Sequence, residues 1–140
     1  MSLKPEPLTA DDLERIAELR IALRRFQAVT DRITFGHGLT SRQYDLLAVL
    51  HAPSRAGVGA SAIADELCIS RNAMTELVSR AVQAGLIYRQ EDGSDARRKP
   101  LAPTTNGSRR YRAAARELGL ARHRLSDALL LAARRIEHLS

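Results

Sequence analysis

The sequence predicts a mainly α-helical fold with one small β-hairpin, an α+β chain in which helices carry most of the packing. Three observations predict it. A short helix, a tight turn and a longer helix are written into Ala60 to Gly85. Two β-prone pieces, Leu86 to Gln90 and Pro100 to Thr104, follow directly and enclose a polar tip, Glu91 to Lys99. Apolar stripes at helical spacing run through both ends of the chain.

The elements can be justified in order. Residues 1 to 8, with Pro5 and Pro7, read as an extended lead-in. Thr9 and Asp12 then have the capping-box spacing, and Leu8 and Leu13 the spacing of a hydrophobic staple. A first helix is expected from Ala10 to about Ile33, with Leu13, Ile16, Leu23, Phe26 and Ile33 on its apolar side. It is long for a chain of 140 residues, which suggests that part of it packs against something beyond its own fold. Gly36-His37-Gly38 breaks the pattern. Thr40 with Gln43, and Leu39 with Tyr44, repeat the box and the staple for a second helix ending near His51. Ala52 to Gly59 is a loop, in which Val58 is expected to form a short strand beside the hairpin. Ser61 to Leu67 is the next helix, with Ile63, Ala64 and Leu67 turned inward. Cys68 and Ile69 make the turn, Ser70 is the N-cap of the following helix, and Gly85 is its C′ residue. Beyond the hairpin, Thr104 caps a helix expected over residues 105–123, with Gly119 a weak point. Ser126 is placed to cap a last one carrying Leu129, Leu130, Ala133, Ile136 and Leu139.

The helix after Ser70 has two chemically different faces. Met74, Leu77, Val78 and Ala81 fall at i, i+3, i+4 and i+7. Opposite them lie Asn72, Thr75, Glu76, Ser79 and Gln83, with Arg71 and Arg80 at the flanks. Small hydroxyls, an amide and arginines can approach a DNA groove closely and bond to bases or phosphates. An ordinary amphipathic helix pair is the plainer reading of this stretch alone. The tip that follows places Arg97, Arg98 and Lys99 together, a group suited to phosphates or a minor groove. A helix-turn-helix followed by such a hairpin is a winged helix-turn-helix.

Over almost its whole length the chain resembles the MarR family of transcription regulators, most strongly from Ser61 to Thr104. The family's wing has an Asp-x-Arg core, then apolar residues, then a Thr that opens the next helix. Here these are Asp95-Ala96-Arg97, Leu101 and Thr104, with Gly107 three residues on. The resemblance implies that Arg97 enters the minor groove and that Asp95 holds the wing or the arginine. It also implies terminal helices that dimerise, setting two winged helices one DNA turn apart, about 34–36 Å. A small aromatic or anionic effector is implied in the cleft between the dimer helices and the winged helix. By placement, Phe26, Thr30, His37, Arg42, Tyr44 and His51 are candidates to line it. Three residues depart from the pattern. Ala96 stands where a second Arg is usual, and Pro103 replaces an apolar strand residue, so the return strand must end early or run along an edge. Cys68 takes a turn position often held by Gly, which calls for a slightly different backbone there.

Composition narrows the function classes. The hydrophobic fraction is 44% and the aromatic fraction 4%, with no Trp, so the core is built from Leu, Ile, Val and Ala. No run approaches the roughly 18 apolar residues of a membrane span, and no signal-peptide pattern opens the chain. The single Cys suits a reducing cytoplasm. The net charge is +6, concentrated between Arg97 and Arg124, where Glu117 is the only acid. A basic half suggests a polyanion partner. No catalytic constellation, metal-ligand spacing or cofactor motif is present, and the four histidines are scattered.

The expectation is therefore a cytoplasmic, homodimeric, non-enzymatic repressor that binds a pseudo-palindromic operator in double-stranded DNA and responds to a small ligand. Residues 1–36 and 105–140 form its dimerisation region and residues 37–104 its DNA-binding domain. Arg71, Asn72, Thr75 and Ser79 enter the major groove, flanked by Arg80. Ser61 and Ser70 bond phosphates at helix N-termini, and Asp95, Arg97, Arg98 and Lys99 work the wing. The alternative is a winged-helix module that docks a protein and never reads DNA.

Overall fold

The computed structural model describes residues 6–91 and 100–136. Among them are six helices and a two-stranded sheet: α1 Ala10–Gly36, α2 Ser41–His51, a 3-10 turn Pro53–Arg55, α3 Ala60–Glu66, α4 Arg71–Gln83, β1 Ile87–Arg89, β2 Leu101–Pro103, α5 Thr105–Glu117 and α6 Gly119–Ile136. The chain divides into two units, Asp31–Glu117 and Met1–Thr30 with Leu118–Ser140.

The Asp31–Glu117 unit has one aliphatic core. Leu46 and Leu47 of α2, Ile63 of α3, the Met74, Leu77, Val78 and Ala81 stripe of α4, Leu86, Ile87 and Ala114 are all buried in it. Each fully buried Leu or Ile contributes about 1.5–3 kcal/mol of transfer free energy. The sheet is antiparallel, with Ile87 opposite Pro103 and Arg89 opposite Leu101. Pro103 is the last residue of its strand, as its missing N–H requires. Val58 forms no strand among the described residues. It packs its side chain against the core instead, and its N–H closes a turn onto Arg55 O.

Helix boundaries follow the local signals. The box at α2 is complete: Gln43 N–H donates to Thr40 Oγ1 at 3.1 Å, and Thr40 N–H donates to Gln43 Oε1 at 3.0 Å. Three helices end in the same Schellman geometry, with a left-handed C′ residue and the next N–H reaching back to the C3 carbonyl. At α1 the C′ residue is Gly38 (φ 72°), and Leu39 N bonds Thr34 O. At α4 it is Gly85 (φ 70°), and Leu86 N bonds Ala81 O. At α3 it is Cys68 (φ 56°), and Ile69 N bonds Ala64 O. The turn thus keeps the backbone a glycine would take rather than adopting another, and Cys68 is exposed there.

In the other unit, α1 opens on the expected box. Thr9 N–H and Thr9 Oγ1 both donate to Asp12 Oδ2 at 2.8 Å, and Asp12 N–H donates to Thr9 Oγ1 at 3.1 Å. The backbone and hydroxyl hydrogen bonds from Thr9 hold the Asp12 carboxyl below its ordinary range. Leu8 and Leu13, the staple pair, are both exposed, as are Ile16, Ile21 and Leu23 of α1 and Leu120, Leu129, Leu130 and Leu131 of α6. The C-terminal helices break at Leu118, not before Ser126, which lies inside α6. Gly119, the poorest helix former in the run, opens the new helix, and a Ser with its neighbours already helical has no end to cap.

Candidate nucleic-acid interface

The core fixes α4 by one face and leaves the other outward. Met74, Leu77, Val78 and Ala81 are buried. Arg71, Asn72, Thr75, Glu76, Ser79, Arg80 and Gln83 are exposed. α3 packs on α4, and its C-terminal end is tied back to the 3-10 turn where Arg55 Nε donates to Glu66 Oε2 at 2.7 Å.

The exposed residues differ in how free they are. Arg71, Asn72 and Ser79 side chains make no hydrogen bond among the described residues, so their donors and acceptors are available to a groove. Thr75 Oγ1 donates to Arg71 O at 3.0 Å. Its oxygen still has acceptor capacity, and its methyl suits apolar contact with a thymine methyl. Arg80 is paired with Glu76 at 2.6 Å, one turn back on the same helix. Ser70 Oγ accepts Ala73 N–H at 3.1 Å as the N-cap, which leaves its hydroxyl hydrogen to donate. Ser61 is exposed in the first turn of α3, whose N-cap, Gly59, offers no side-chain bond, so backbone N–H groups remain open to an anion. Asp95, Arg97, Arg98 and Lys99 lie outside the described residues.

The six residues placed near an effector cleft go to different surroundings. Tyr44 and His51 join Tyr111 in an aromatic cluster between α2 and α5, with the His51 and Tyr111 rings stacked at 4.5 Å and the tyrosine rings 5.2 Å apart. His51 Nδ1 donates to Leu47 O at 2.6 Å, since a carbonyl only accepts. In the neutral ring Nε2 then accepts the Ser108 hydroxyl at 3.0 Å. His37 Nε2 meets Glu117 Oε2 at 2.6 Å. Arg42 lines a cavity of about 470 Å³ beside α4, together with Asp31, Phe35, Leu39, Gln43, Glu76, Leu77 and Arg80. Phe26 and Thr30 belong to the other unit, where Thr30 Oγ1 donates to Phe26 O at 2.8 Å. Phe35 was not among the sequence candidates. A large aromatic off the apolar stripe of α1, next to Gly36, was the signal for it, and it is 83% exposed.

The turn that presents α4 carries a small strain. A left-handed residue with a Cβ costs about 1–2 kcal/mol, against about 0.5–1 kcal/mol of extra unfolded-state entropy for Gly. Cys68→Gly is expected to raise stability by about 0.5–1 kcal/mol, read as a higher urea midpoint at unchanged slope. An unchanged or lower midpoint would mean that the thiol contributes more than its backbone costs.

Among the described residues no group of three or more His, Cys, Asp or Glu could hold a metal ion, and no helix is long and apolar enough to cross a membrane.

The MarR family model matches residues 37–98. No curated protein matches the chain. The crystal structure of a MarR family transcription regulator is similar with a TM-score of 0.69 at 24% identity, covering 91% of this chain and 86% of that one. MepR of S. aureus, in a DNA complex, is similar with a TM-score of 0.67 at 23% identity, over 86% and 84%. A MarR family protein of Mycobacterium tuberculosis, in complex with salicylic acid, is similar with a TM-score of 0.64 at 18% identity, over 96% and 98%. Residues 37–98 are thus similar to the MarR family, and the fold of the chain is that of these solved MarR family structures.

Proposed function

We propose that the protein is a ligand-responsive transcription regulator, a repressor that binds a pseudo-palindromic operator as a homodimer in the cytoplasm. The observation that carries this reading is α4: a helix anchored by four buried apolar residues that turns Arg71, Asn72 and Ser79, unpaired among the described residues, outward with Thr75 between them. These residue types are the ones that read base edges in a major groove. Ser61 and Ser70, near helix N-termini, are assigned to phosphates, and Arg97 with Arg98 and Lys99 to the wing contact that Asp95 supports. The DNA complex of MepR supports the same use of this fold.

The dimer is assigned to the helices of the Met1–Thr30 and Leu118–Ser140 unit. Their exposed leucines and isoleucines form more apolar surface than a lone chain usually leaves in water, and a two-fold interface would bury them. The salicylic acid complex of the mycobacterial relative supports a small aromatic or anionic effector. No catalytic role is assigned.

The reading is tested by fluorescence anisotropy with duplex DNA from upstream of the protein's own gene and a scrambled duplex of equal length. Selective binding of the first, with two protomers per site, is expected. Equal affinity for both duplexes would favour the protein-docking alternative.

A further inference from the structure

Two rows of opposite charge stand on helices whose remaining charges already have partners. On α5, Arg110 donates to Asn106 Oδ1 and to the carbonyls of His37 and Gly38, and Glu117 meets His37. Arg109, Arg112 and Arg116 are left over. All three are exposed, and none meets a carboxylate among the described residues; Arg109 donates to Asn106 Oδ1 at 2.9 Å. They fall at i, i+3 and i+7, one row rising about 10.5 Å along the helix.

On α1 the signs are reversed. Residues 6–19 hold five acids, Glu6, Asp11, Asp12, Glu14 and Glu18, against one cation, Arg15. Asp12 is buried in the Thr9 cap. Arg15 is taken by Asp11 Oδ2, which leaves Asp11 Oδ1 to accept. Glu14 and Glu18 are exposed and meet no cation among the described residues. Asp11, Glu14 and Glu18 also fall at i, i+3 and i+7, so the acid row has the length and the steps of the arginine row. It adjoins apolar surface: Ile21, one turn past Glu18, is 48% exposed. A charged row at the edge of an exposed apolar patch has the make-up of an interface rim. An arginine row alone would suit any polyanion. A second copy is singled out because it carries a matching acid row beside an uncovered apolar surface.

We propose that in the dimer Asp11, Glu14 and Glu18 of one copy pair with Arg109, Arg112 and Arg116 of the second, and the reverse. A two-fold axis uses each row twice. The proposal rests on the dimer reading above and adds its register. Single exposed ion pairs are worth little, so the apolar surface supplies most of the affinity. The charges reject wrong alignments. Arg20, Arg24 and Arg25 follow the acid row on α1, and a slide along that helix sets arginine against arginine, which is costly.

The test is sedimentation velocity of the full chain at low salt, with two charge reversals. One variant carries Glu14→Lys and Glu18→Lys, the other Arg112→Glu and Arg116→Glu. All four side chains are exposed, so both variants are expected to keep the helical circular dichroism of the wild type. Each variant alone should dimerise at least about a hundredfold more weakly than wild type. An equimolar mixture should form a one-to-one heterodimer within about tenfold of the wild-type affinity, because both contacts are then attractive again. A chain with all four substitutions should dimerise as well as that mixture. A monomeric wild type overturns the dimer reading and the pairing with it. A dimeric wild type whose reversed variants dimerise equally well keeps the dimer and overturns the pairing. Recovery in the fourfold chain but not in the mixture places the contact within one chain and overturns it. An arginine reversal that leaves the dimer intact and weakens a scrambled duplex gives the row to DNA and overturns it too.

Discussion

Gly107→Ala is expected to destabilise the protein by about 3 kcal/mol, near the upper end of what overpacking does. The cause is a contact between the first turn of α5 and the residue that follows the C′ glycine of α4. A Cβ built at Gly107 falls 2.0 Å from Leu86 O and 2.8 Å from its carbonyl carbon. Those are backbone atoms, and they cannot swing aside as a side chain could. Leu86 is itself pinned: its N–H bonds Ala81 O, and its carbonyl accepts Thr104 N–H at 3.0 Å. Thr104 completes the clamp. Its Oγ1 donates to Gly85 O at 2.6 Å and accepts Gly107 N–H at 2.9 Å. A methyl at Gly107 must push α5 off this junction, breaking the hydrogen bonds that join the end of α4 to the start of α5. Urea unfolding measures the loss, and a midpoint equal to wild type would show that the junction yields without cost.

The second large effect is on DNA. Arg71→Ala with Asn72→Ala should weaken operator binding by about 3 kcal/mol, roughly 150-fold, if each residue contributes within the usual 1–3 kcal/mol of a base contact and the pair is not fully additive. Both side chains are exposed and unpaired among the described residues, so folding stability should stay within about 0.5 kcal/mol. That separation matters. A loss of affinity with an unchanged melting temperature belongs to readout, whereas a joint loss would mean that the helix start itself had been damaged. Binding of the scrambled duplex should fall far less, since phosphate contacts carry nonspecific affinity.

Much of this was legible in the residues because the signals were local. Thr9 with Asp12, Thr40 with Gln43, and Ser70 before α4 each specify a helix start through hydrogen bonds within four residues, and all three formed. The buried stripe of α4 followed from spacing alone. What escaped depends on the approach of distant segments or on competition between weak preferences. The need for glycine at 107 comes from Leu86, twenty-one positions earlier, and shows only when α5 and the end of α4 meet. Cys68 gave no sign that its backbone would keep the left-handed form, since the Schellman hydrogen bonds outweigh the strain there. The break at Leu118 reflects one weak helix former outweighing a plausible cap at Ser126. The scattered cleft candidates were placed by chain position, and chain position does not say which helix face meets which. Arg42 lines the cavity, whereas Tyr44 and His51 pack on Tyr111.

The central claim is that this chain holds DNA through cations of its winged helix. The direct measurement is operator affinity as a function of salt. On the proposed reading, in which Arg80, Arg97, Arg98 and Lys99 of each of two protomers supply eight phosphate or groove contacts, the slope of log K against log salt should be roughly −7. A slope near that value supports DNA recognition by a dimer. A slope shallower than about −2 would contradict it and leave a winged helix whose outward face serves a protein partner.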